Sequence, residues 1–144
     1  MTKTSEELYK EGLERYKAGE EANTLIPLFK EITDQSPKNS SSWISLSWLY
    51  LLEKKPKLAH KAAKTGVKLN PDDPQGRINL VLAMLEIGEK GVRPHVERAQ
   101  QMIMANEDWL EEVKKNIKDG FDRRGEWPGL SRCLLYTSDA ADDP

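Results

Sequence analysis

Trp43-Ile44-Ser45-Leu46-Ser47-Trp48-Leu49-Tyr50 is the stretch on which the fold turns, because its pattern recurs on either side of it. Trp43 and Arg77 stand 34 residues apart, as do Pro37 and Pro71, and Lys54 and Gly88. Toward the N-terminus, Leu8 precedes Trp43 by 35 residues and Gly12 precedes Ser47 by 35, so one extra residue falls between Gly19 and Pro37. Bulky residues (Trp43, Tyr50, Phe29, Leu80) accompany small ones (Gly12, Ser47, Ala59). Two helices that cross closely need a small residue at the contact and a large one to fill the adjacent space. Pro37 and Pro71 close their units, since proline has no amide hydrogen and clashes with the preceding turn. One helix pair cannot bury its own face, whereas stacked pairs share a continuous core.

A period of 34 residues is that of the tetratricopeptide helix–turn–helix unit. The quoted stretch resembles that family's W-x-x-L-G-x-x-Y signature, with Ser47 where glycine is usual. Ala59, Ala63 and Pro71 follow at matching distances, Ala63 where a larger residue is common. The first repeat matches at Leu8, Gly12, Gly19, Phe29 and Pro37, with Arg15 replacing the usual aromatic beside Tyr16. The third keeps Leu80 and Gly88, departs at Val81 and Met84, and has its second helix shifted by Gly91-Val92-Arg93-Pro94. The resemblance covers residues 5–105. The runs Glu11-Gly12-Leu13-Glu14-Arg15-Tyr16-Lys17-Ala18-Gly19 and Trp48-Leu49-Tyr50-Leu51-Leu52 are similar to those of short tetratricopeptide proteins widespread in cyanobacteria. The resemblance implies an all-α, right-handed solenoid of three repeats with a capping helix. It also implies a protein-binding module that is not an enzyme and carries no cofactor. An assembly factor for a photosynthetic or other membrane complex is implied by the cyanobacterial likeness alone.

The expected organisation is a single domain over 5–120, with repeats at 5–38, 39–73 and 74–105 and a capping helix at 106–119. Thr4 followed by Glu7 fits a capping box for the first helix. One of Ser40, Ser41 or Ser42 is expected to cap the third. Leu110, Val113 and Ile117 recur at helical spacing, and Gly120 is expected to end the capping helix. Residues 121–132 form an extension in which Trp127 and Leu130 begin a further segment.

Residues 133–143, Cys-Leu-Leu-Tyr-Thr-Ser-Asp-Ala-Ala-Asp-Asp, resemble a translated transposase sequencing adapter. On that reading 133–144 is a non-native tail, the native C-terminus beyond Arg132 is missing, and Cys133, the one cysteine, is foreign. Setting aside Asp139, Asp142 and Asp143 takes the acidic residues from 24 to 21 against 22 basic ones. With or without the tail, no net field attracts nucleic acid or anionic lipid. No apolar run approaches the roughly 18 residues that span a membrane. The start, Met1-Thr2-Lys3-Thr4-Ser5-Glu6-Glu7, lacks the apolar core of a signal peptide. A cytoplasmic protein that is not an integral membrane protein is therefore expected.

In tetratricopeptide arrays the first helix of each pair lines a concave groove. Taking Leu8, Trp43 and Arg77 as equivalent, the groove-facing sets are Tyr9, Leu13, Tyr16; Ile44, Trp48, Leu51; and Ile78, Leu82, Leu85. Polar neighbours are Lys17, Ser41, Ser45, Gln75, Asn79 and Glu86. The partner-binding candidates are Tyr9, Leu13, Ile44, Trp48, Ile78, Asn79 and Leu82. Chaperone-type members of the family hold a terminal carboxylate with Lys and Asn at these places. Here the positions are apolar apart from Asn79, which argues against that clamp and for an amphipathic helix or extended apolar segment. The alternatives are filling by the chain's own C-terminal helix, or self-association as a scaffold subunit or homodimer. Trp43 is expected in the core and Trp48 in the groove.

His60 and His95 lie in different repeats with no ligand spacing around them, so neither metal nor catalysis is expected. No phosphate loop, His-Glu-x-x-His or Gly-x-Ser-x-Gly string occurs. Lys114-Lys115 and Arg123-Arg124 with Phe121 and Trp127 make a basic-aromatic cluster, but Asp119, Asp122 and Glu126 dilute its field, so nucleic acid is not the expected partner.

Overall fold

The computed structural model describes residues 3–132. The adapter-like stretch and Cys133 lie outside the described residues. Seven helices follow in order: α1 (Ser5–Lys17), α2 (Ala22–Gln35), α3 (Ser40–Leu52), α4 (Pro56–Leu69), α5 (Pro74–Ile87), α6 (Arg93–Ala105) and α7 (Glu107–Arg124). Residues 128–132 are helical again, and no strand occurs among the described residues.

The first helix of each pair is capped by a side chain, and the caps keep the repeat. Thr4 and Glu7 form the expected capping box on α1. Asn39 accepts from the Ser42 amide at 3.2 Å and Asp73 from the Gln75 amide at 2.9 Å. Asn39, rather than a serine, therefore caps α3; Ser40 is already helical. Thr4, Asn39 and Asp73 are 35 and 34 residues apart, the same steps as the signature residues. A second repeated tie anchors each turn. The Trp43 indole donates to the Pro37 carbonyl at 2.8 Å, and the Arg77 guanidinium to the Pro71 carbonyl at 3.1 Å. Arginine in the third repeat thus does the tethering that tryptophan does in the second.

Small residues let the helices close up. A methyl group on Gly12 would stand 2.6 Å from the Phe29 ring, and one on Gly66 would stand 2.7 Å from Ile44 Cγ1. Ala59, Ala62, Ala63 and Gly66 are all buried on α4, so its facing stripe presents almost no side-chain bulk to its neighbours. Leu25, Ile32, Phe29, Leu51, Ile78 and Leu82 fill the space between. Each such burial contributes about 1.5–3 kcal/mol.

Gly120 does not end the seventh helix. The helix runs on to Arg124, where Gly125 takes φ 80°. Gly120 serves a close approach instead: a Cβ there would stand 3.0 Å from Trp48 and 3.1 Å from both Trp127 and Leu130. The placing of the tryptophans also departs from expectation. Trp43 is half-buried at the edge of the core, held outward by its bond to Pro37. Trp48 is only 8% exposed, because α7 and the residues after it cover the face on which it sits.

Candidate partner-binding face

The inner faces of α1, α3 and α5 meet α7 across a polar chain and an aromatic cluster. The polar chain starts at Asn116 of α7, whose Nδ2 donates to Gln75 Oε1 at 2.9 Å. Gln75 Nε2 donates to Asn79 Oδ1 at 2.8 Å. Asn79 Nδ2 then donates to the Ile44 carbonyl at 3.1 Å and to Ser47 Oγ at 3.0 Å. Three helices are joined through side-chain amides, and Asn79 has its oxygen and both N–H groups engaged, which a buried amide needs to avoid a desolvation cost. Asn79 has no exposed surface.

The aromatic cluster centres on Tyr16. Its hydroxyl accepts from the Trp48 indole at 2.9 Å and donates to Asp119. Arg123 stacks over the Tyr16 ring at 3.9 Å and holds Asp119 through Nε at 3.1 Å. Burial first, and then the bond to Asp119, push the Tyr16 phenol well above the ordinary tyrosine range. The cluster therefore keeps its proton and acts as a fixed donor–acceptor post.

A cavity of about 280 Å³ remains between these two features. Tyr9, Leu13, Tyr16, Trp48 and Phe29 line it from α1, α2 and α3, and Trp109, Glu112 and Asn116 from α7. Tyr9 lies edge-on to Phe29 with centroids 6.0 Å apart. Asp73 is at the cavity wall, where burial raises its carboxyl pKa against the amide bonds from Gln75 and Gly76.

Of the seven candidates, Tyr9, Leu13, Ile44, Trp48 and Asn79 come together around this cavity. Tyr9 and Leu13 are half-buried; the other three are buried. Ile44 is wedged between Gly66 and Gly76. Ile78 and Leu82, 2% and 0% exposed, lie in the core away from the cavity. A methyl at Gly129 would touch Leu82 at 3.8 Å, which places residues after α7 over that part of the face. A C-terminal helix over the groove was one of the alternatives, but the α7 residues that line the cavity were not among the candidates. Their signal was the spacing of Trp109, Glu112 and Asn116, three and four residues apart on one helical face.

Arg123 and Arg124, read from sequence as part of a basic cluster, turn inward. Arg123 donates to the Glu20 carbonyl at 2.8 Å and the Tyr16 carbonyl at 2.5 Å. Arg124 donates to the Leu51 carbonyl at 3.0 Å and to Glu86 at 2.5 Å. No helix among the described residues is long and apolar enough to cross a membrane, and no cluster of His, Cys, Asp or Glu among them has the arrangement of a metal site.

No protein-family model matches the chain, and no curated protein matches it. Solved structures do. The chain is similar to the type III secretion translocator chaperone SycD of Yersinia enterocolitica in its alternative dimer, with TM-score 0.68 and 16% identity over 94% of this chain and 95% of that one. It is similar to a T3SS complex from Aeromonas hydrophila, with TM-score 0.68 and 15% identity over 96% and 84%. The Sgt2 TPR domain from Aspergillus fumigatus aligns with TM-score 0.55 and 16% identity over 96% and 80%. At such identities the fold is what is shared: the chain is an all-α, tetratricopeptide-like helical repeat.

Proposed function

We propose that this chain is a cytoplasmic protein-interaction module, not an enzyme, which binds a short segment of a partner protein on the concave side of α1, α3 and α5. The observation that carries this reading is the cavity of about 280 Å³ walled by Tyr9, Tyr16, Trp48 and Trp109 with amides at its edge. Its volume falls just below the roughly 300–1,000 Å³ of sites for drug-sized ligands. One or two large apolar side chains of a peptide fit that space, with Gln75 and Asn116 beside the peptide backbone. Proteins of similar fold include a chaperone and a TPR domain, which favours binding over catalysis. Tyr9, Leu13, Ile44, Trp48 and Asn79 are the binding candidates this reading keeps at the cavity, and Ile78 and Leu82, buried in the core, are set aside.

The test is selection of peptides from a displayed random library, followed by fluorescence anisotropy of the selected peptides. Tyr9→Glu and Trp109→Glu each place a charge at the cavity wall and are expected to weaken binding by about tenfold or more, or 1.4 kcal/mol. Unchanged affinity in both variants, or a library that yields no binder, contradicts the reading. The alternative is a self-associating scaffold subunit or assembly factor. The dimer described for SycD favours it, and light scattering over a range of concentrations decides it.

A further inference from the structure

The C-terminal ends of α1, α3 and α5 form a row of acceptors. Tyr16 O lies in the last turn of α1 and Leu51 O in the last turn of α3; Glu86 stands in the last turn of α5, next to Leu85, their equivalent. Tyr16 and Leu51 are 35 residues apart, the step between the first two repeats, whereas Glu86 lies one residue past the 34-residue equivalent of Leu51 and offers its side chain rather than its carbonyl. The Gly19 and Lys54 amides already reach Tyr16 O and Leu51 O at 3.0 and 3.1 Å, and the second lone pair of each carbonyl, at the negative end of the helix dipole, suits a guanidinium group. The chain supplies those groups itself. Arg123 caps α1 and Arg124 caps α3, while Glu86 receives both Arg124 and, at 2.8 Å, the Trp127 indole.

Beyond this row the same segment is anchored by apolar burial. Trp127 is 1% exposed and Leu130 0%. The Trp127 ring lies 5.5 Å from Trp48, with Arg124 stacked at 4.3 Å on it. Gly125, at φ 80°, breaks the helix between the arginines and the tryptophan, so residues 126–130 reach the face as an arm. The fit is incomplete: Arg124 Nε is buried without an acceptor. A buried donor left unpaired is a cost that a better-fitting segment escapes.

We propose that residues 123–130 are a built-in ligand of the concave face, and that a partner segment of the same chemistry, Arg-Arg-x-x-Trp-x-x-Leu, competes with them for it. The partner thus carries two guanidinium groups followed by an indole and an aliphatic side chain. This rests on the protein-binding reading above and names the partner's chemistry. A tethered ligand acts at an effective concentration of the order of millimolar, so the face stays closed to weak competitors.

The test uses the full chain and a labelled peptide of residues 121–132 added in trans. In the variant Trp127→Ser/Leu130→Ser the chain's own arm is crippled while the acceptor row is intact. That variant is expected to bind the peptide at least about tenfold more tightly than wild type. Adding Glu86→Gln to it removes the gain, and a peptide carrying Trp127→Ala does not bind. Equal binding by wild type and variant, or a helical variant that does not bind, overturns the proposal. If the variant does not fold, hydrogen exchange on wild type decides. Residues 125–132 are expected to exchange well before α3, and exchange only with global unfolding makes them structural. A concentration-dependent dimer that the double variant abolishes shows the arm passing to a second copy, which also overturns it. If the peptide fails while Tyr9→Glu still weakens library peptides, this inference alone falls and the proposed function stands.

Discussion

Asn79→Asp changes one atom group in the middle of the polar chain, and its consequences follow from the geometry. The residue has no exposed surface, and its Nδ2 donates to the Ile44 carbonyl and to Ser47 Oγ. A neutral aspartic acid restores one donor of the two, so the cost at low pH is one lost hydrogen bond and a poorly paired carbonyl, about 1–2 kcal/mol. An ionised aspartate has no donor and faces a carbonyl oxygen. Burial and that carbonyl both raise its folded-state pKa above the unfolded value of about 3.9. A raised carboxyl pKa contributes a penalty that is absent below the unfolded value and grows as pH rises, by about 1.4 kcal/mol per unit, until the folded pKa is passed. Asp73 and Glu112 on the same cavity push in the same direction, and Lys17 opposes them. Relative to wild type at each pH, the loss at pH 7 is expected to exceed that at pH 4.5 by up to about 3 kcal/mol. Urea unfolding followed by circular dichroism at 222 nm measures both. Equal losses at the two pH values, or a loss under about 1 kcal/mol at pH 7, refute the buried bridge.

Further outcomes follow from single contacts. Gly12→Ala pushes a methyl into the Phe29 ring and is expected to cost about 1–3 kcal/mol in thermal or urea unfolding. Trp127→Ala removes a ring that is 1% exposed and is expected to cost more in urea unfolding than half-buried Trp43→Ala; equal losses contradict the placing of the two rings. Tyr16→Phe leaves the Trp48 indole without its acceptor and is expected to cost about 1–3 kcal/mol. In alkaline titration the Tyr16 phenol is expected to stay protonated past the ordinary tyrosine range, with stability lost as pH rises above the unfolded value; absorbance at 295 nm reads this, and full tyrosine ionisation before unfolding contradicts it.

The helices and their register were legible because each depends on local chemistry repeated along the chain. Gly12, Ser47 and Ala59 marked the close crossings, and the prolines marked the turns. The inner face was less legible, because what a residue faces depends on partners far away in sequence. Asn79 reads as a polar groove residue until Gln75, itself held by Asn116, is seen to engage it. Trp48 reads as groove-facing, but Trp127 lies against it from 79 positions away. Gly120 looked like a helix end because glycine commonly is one. Only the approach of Trp48, Trp127 and Leu130 shows the other reason for a glycine, the need for no side chain at all. The arginine pair belonged to a cluster by composition, and the helix ends that take up its donors have no sequence signature.

Everything said of the inner face depends on the α7 end and the arm after it lying against Trp48. Proton NMR of the native chain addresses that contact. The Gly120 α-protons should be displaced from their ordinary shift by the adjacent Trp48 ring, and Trp48 and Trp127 ring protons should show mutual nuclear Overhauser effects. A helical spectrum with Gly120 at its ordinary shift and no contact between the two indoles would mean an uncovered face and contradict the account.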